Sequence, residues 1–64
     1  MNYVIEFGKY FYVSGGYSRI SSESNIVLTE EFRNAYWFEN KEDAIKISER
    51  FGGIVRQFTI VVED

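Results

Sequence analysis

Ten acids against seven bases give this 64-residue chain a formal charge of -3, and it contains no His, Cys or Pro. That composition excludes imidazole and thiolate catalysis, disulfides and zinc, and argues against a protein that coats the phosphates of a long nucleic acid. The length allows a single domain, 1–64, that buries only about 60% of the surface its unfolded chain exposes.

The first run, Asn2 to Phe7, alternates, with Tyr3, Ile5 and Phe7 on one side and Val4 and Glu6 on the other. Gly8-Lys9 separates it from Tyr10–Val13, and two β-rich runs joined by Gly-X predict a type II′ hairpin. The expected register sets Phe7 opposite Tyr10, Ile5 opposite Tyr12 and Val4 opposite Val13. Residues 14–25, with adjacent glycines and repeated serines, read as loop before a short strand at Ile26-Val27-Leu28.

Thr29-Glu30-Glu31-Phe32 predicts one helical turn leading into a strand at Ala35-Tyr36-Trp37-Phe38. Asn40 is then a cap for the main helix, with Glu42 and Asp43 in its first turn, and Gly52-Gly53 ends it. Ala44, Ile47, Ser48 and Phe51 share one helical face, widened by Ile45, while Lys46, Glu49 and Arg50 stay in water. Ile54 to Val62 alternates throughout and predicts the longest strand.

The order is therefore β, β, a short β, a turn, β, α, β. It implies an α+β fold: a small antiparallel sheet, a hairpin plus two or three further strands, against one helix. Phe51 and Phe58 are expected in its core. Val4, Phe11 and Val13 fall on the sheet face that one helix cannot cover, which predicts a homo-oligomer or a partner on that face.

Six Phe, five Tyr and one Trp exceed the needs of so small a core and point to a binding module, non-enzymatic and without cofactor or metal. The acids Glu30, Glu31, Glu42, Asp43 and Glu49 are explained by a helix start or a solvated helix face. Gly15-Gly16-Tyr17-Ser18-Arg19 is the segment most suited to a ligand. Its glycines let backbone N–H groups approach an anion, Arg19 can hold phosphate, and Tyr17 can stack on a base. As a structural element it is a turn after a strand. Lys9 and Arg19 against Glu6 alone make residues 1–22 weakly basic, whereas residues 23–64 hold the other five bases and nine acids. The start MNYVIEFGKY has neither the basic opening nor the apolar stretch of a signal peptide, and no apolar run approaches the roughly 18 residues of a membrane span, so a cytoplasmic protein without a membrane partner is expected.

The stretch from Leu28 to Ala44 runs from a Thr-acid turn through an Ala to an aromatic strand and a capped Glu-x-Ala helix. It resembles the layout of short accessory proteins of tailed phages and prophages, and Tyr12-Val13-Ser14-Gly15-Gly16-Tyr17-Ser18 is similar to their first hairpin and loop. The resemblance covers about the central half of the chain and carries over no catalytic residue. It implies a protein in the cytoplasm of a bacterial host that acts stoichiometrically against host defence, as anti-CRISPR proteins do. The expected function is inhibition of a bacterial immune effector through acidic helix and sheet-edge surface, without direct binding of long nucleic acid. The alternatives are a sponge for a cyclic or other signalling nucleotide and a structural phage protein. The residues expected to bind are Gly15, Gly16, Tyr17, Arg19, Trp37, Glu42 and Glu49.

Overall fold

Strands β1 (Asn2–Phe7) and β2 (Tyr10–Gly15) form the hairpin, turning at Gly8 with φ 63°, a value that favours glycine. No other residue of that turn has positive φ, which makes it type II′ as expected. Phe7 pairs with Tyr10 and Glu6 with Phe11. A computed structural model describes residues 1–15 and 26–63. Strand β3 (Ile26–Thr29), helix α1 (Lys41–Phe51) and strand β4 (Ile54–Phe58) complete a four-stranded antiparallel sheet in the order β3-β2-β1-β4, with one α-helix. The fold is α+β.

Beyond Glu6 and Phe11 the hairpin opens. The expected pairs Ile5 with Tyr12 and Val4 with Val13 do not form, because residues 36–38 enter the gap between the two strands. Tyr3 and Phe38 exchange two backbone hydrogen bonds of 2.8 Å, and the Tyr36 N–H donates to the Tyr12 carbonyl at 2.9 Å. The expected strand at Ala35–Phe38 is thus a single antiparallel bridge to Tyr3 on β1, with one further backbone bond to Tyr12 on β2. A register shift between Tyr12 and Ser14 on β2 accompanies the opening.

This insertion carries the chain from one face of the sheet to the other. Ahead of it, a 3-10 turn at Phe32–Asn34 sets the Phe32 ring 5.6 Å from Phe11 and 4.9 Å from Phe58. Trp37 joins that cluster, 5.2 Å from Phe58, and its indole N–H donates to the Phe32 carbonyl. One residue on, Phe38 points the opposite way, as strand alternation requires, and stacks on Tyr12 at 5.7 Å. The core on that side is Ile5, Tyr12, Phe38, Ala44 and Ile47, flanked by Tyr3, Phe7, Ile26, Phe51 and Val55.

Two expectations change here. Phe58 does not belong to the helix-side core with Phe51; its alternation with Val55 sends it to the Phe32–Trp37 cluster on the other face. That face is not bare either. Val4 is 2% exposed and Phe11 and Val13 are half-buried within a single chain, because the segment leading to Phe38 crosses beneath the sheet. The reason for expecting self-association through Val4, Phe11 and Val13 therefore falls away.

Helix α1 starts and stops as its sequence dictates. The Asn40 side chain accepts the Glu42 N–H at 2.8 Å, and Gly52, at φ 95°, closes the helix with its N–H on the Ser48 carbonyl. Ala44 and Ile47 are buried, Phe51 packs at the margin, and Lys46, Glu49 and Arg50 are exposed. The expected strand from Ile54 to Val62 ends at Phe58, opposite Asn2 on β1, and among the described residues no strand lies beside its later part.

Candidate partner-binding site

The crossing segment that fills the hairpin also leaves its own outer rings in solvent. Tyr36 is 53% exposed, and its ring meets Phe38 edge-on at 4.7 Å, so a buried aromatic holds it in place. Its backbone is anchored by the bond to Tyr12. Trp37 is 37% exposed, with the indole N–H committed to Phe32 and the ring in an edge-to-face contact with Phe58.

Tyr36 stands between two shallow open clefts. One, of about 250 Å³, is lined by Tyr12, Val13, Ser14, Gly15 and Tyr36 and is mainly apolar. The other, of about 400 Å³, is lined by Tyr36, Trp37, Phe38, Glu39, Asn40 and Asp43 and is mainly polar. Glu39 and Asp43 are exposed, and among the described residues neither is engaged in an ion pair. Two ion pairs lie elsewhere: Glu6 takes Arg56 at 2.6 Å across β1 and β4, and Lys9 meets Glu30 at 3.4 Å. A mobile aromatic on a surface loop would lose rotamer freedom on binding. Tyr36 has lost much of it already.

Of the residues expected to bind, Gly15 and Trp37 line the two clefts on either side of Tyr36. Glu42 and Glu49 are exposed on α1, two turns apart, and line neither. Gly16, Tyr17 and Arg19 lie outside the described residues, so the anion-binding reading of that loop gains no geometry. Tyr36, Glu39 and Asp43 were not among the expected site residues. From sequence Tyr36 reads as a core or sheet-face residue of the expected strand at Ala35–Phe38, so its exposure beside the capped helix start is not legible there.

Among the described residues no cluster of His, Cys, Asp or Glu is placed to hold a metal ion. No helix of the described residues is long and apolar enough to cross a membrane. No protein-family model, curated protein or solved structure matches this chain.

Proposed function

We propose that this protein is a non-enzymatic binding module that captures an arginine-bearing surface of another protein in the cleft beside Tyr36. The observation that carries this reading is the juxtaposition of the exposed, braced Tyr36 ring with the Glu39 and Asp43 carboxylates in one cleft. A guanidinium stacks flat on an aromatic ring and donates a bidentate pair of hydrogen bonds to a carboxylate, so ring and acids together suit Arg better than Lys or a neutral group. Grooves built to hold nucleic acid are rich in such arginines. Together with the acidic balance of the chain and its resemblance to phage accessory proteins, this favours stoichiometric inhibition of a bacterial immune effector by occupying its nucleic-acid groove.

Capture of a signalling nucleotide is the second reading, favoured by the apolar cleft in which Gly15 faces Tyr12 and Tyr36. Calorimetry separates the two. The chain would be titrated into a guide-loaded RNA-guided nuclease, with and without target duplex, and separately against cyclic dinucleotides. The expected result is nuclease binding that target DNA competes away, weakened roughly 30-fold by Tyr36→Ala, the size of a central aromatic anchor. Charge reversal in Glu39→Lys with Asp43→Lys should slow association and flatten its salt dependence. Nuclease binding indifferent to all three substitutions, or binding of a cyclic dinucleotide alone, would overturn the first reading.

A further inference from the structure

Strand β4 is an edge of the sheet, so among the described residues no strand lies beside its outer N–H and C=O groups over Ile54–Phe58. Continuous with it, Ile60, Val61 and Val62 lie beyond the last ladder pair, Asn2 with Phe58, and are 56%, 78% and 81% exposed. Three consecutive β-branched residues in water, next to an open edge on which Ile54 is itself 58% exposed, are the features that natural sheet proteins suppress with charge, proline or a bulge. Here none is used. Over residues 54–62 Arg56 is the sole charge, and it is already paired with Glu6 inside the chain.

The open edge and the unpaired extension match each other in length. Each covers five residues when Phe58 is counted in both, and they are joined end to end at that residue. We propose that a second copy of this chain covers the edge: β4 pairs antiparallel with β4 of the other copy about a two-fold axis at Phe58, each extension lying along the open edge of the other. This inference is independent of the function proposed for the Tyr36 cleft.

Antiparallel pairing about Phe58 sets Ile54 opposite Val62, Val55 opposite Val61, Arg56 opposite Ile60 and Gln57 opposite Thr59. Directly opposed residues share a face, so apolar meets apolar at the ends, the two amide and hydroxyl side chains meet near the centre, and no like charges are opposed. A two-fold axis perpendicular to the sheet keeps both helices on one side and merges two four-stranded sheets into one of eight strands. The contact closes on itself. Having used both β4 edges, it leaves no free copy of this edge to propagate a fibre.

The test measures mass by light scattering during gel filtration across micromolar to millimolar concentration, together with amide exchange, on the whole chain. The parent should run as two chains, and the amides of Thr59 and Val61, which by strand alternation face the partner's Gln57 and Val55, should exchange at least about tenfold more slowly at high concentration than at low. Ile60→Lys with Val61→Lys changes side chains that a single copy leaves in solvent. It should give one chain with those amides unprotected and circular dichroism unchanged. A parent of one chain, or of more than two, overturns the proposal, as does a double variant that remains two chains. If the double variant fails to fold, the parent's exchange at Thr59 and Val61 decides: unprotected amides there at the highest concentration would overturn it.

Discussion

Gly53 shows how closely one residue can be specified by its neighbours. A methyl group at that position would collide with the Ile5 side chain, stand 2.8 Å from the Phe7 ring and 3.0 Å from the Glu6 carbonyl. The Ser48 hydroxyl donates to the Gly53 carbonyl at 2.7 Å, so the chain cannot swing away without losing that bond. Gly53→Ala should therefore cost about 1–3 kcal/mol through overpacking, and the melting temperature should fall by about 4–8 °C per kcal/mol in a domain of this size. Scanning calorimetry checks it, and an unchanged melt would mean that β1 and β4 are less tightly apposed than described. The adjacent Gly52 does a different job. It has open space around its Cα and is glycine for its left-handed φ. From sequence the pair reads only as a helix stop. That reading holds for Gly52, while the role of Gly53 depends on residues almost fifty positions earlier and is not visible locally.

At the scale of elements, what is local was legible and what competes over distance was not. The Gly8 turn, the Asn40 cap and the Gly52 stop are each set by a few neighbouring residues, and each stands where the sequence places it. Alternation also assigned faces correctly along β1. It could not say which segment would lie beside Tyr3, since Phe38 and the far end of β2 offer equivalent backbone groups. Phe38 wins because its ring then fills the space between Tyr12 and α1. The length of β4 failed for a similar reason: alternation continues to Val62, but among the described residues no strand extends past Asn2 to receive it. Phe38→Ala should cost about 3–5 kcal/mol, enough to unfold a domain whose whole stability is at the low end of about 5–15 kcal/mol. Phe32→Ala, on the 40% exposed ring of the opposite face, should cost less and leave the Tyr3 and Phe38 amides protected from exchange. Comparable melts for the two variants would contradict a wedge that is held from the helix side.

For the molecule as a whole, the crossing segment solves two problems at once. It supplies the cover that a single helix cannot give to the second face of the sheet, and it delivers Tyr36 to the surface on a rigid base next to the acidic start of α1. The candidate site was partly legible. Trp37 and Gly15, expected to bind, line the clefts on either side of Tyr36, whereas Tyr36, Glu39 and Asp43 become a group only when residues 36–38 are locked between β1 and β2. The most direct test of a binding module centred on Tyr36 is backbone chemical-shift mapping of the isotope-labelled chain, titrated with guide-loaded RNA-guided nuclease and, in a second series, with cyclic dinucleotide. Broadening or shifts from the nuclease should concentrate on residues 36–43, with β3 little changed. Nuclease-induced changes that spare residues 36–43, or changes produced only by cyclic dinucleotide around Gly15, would contradict it.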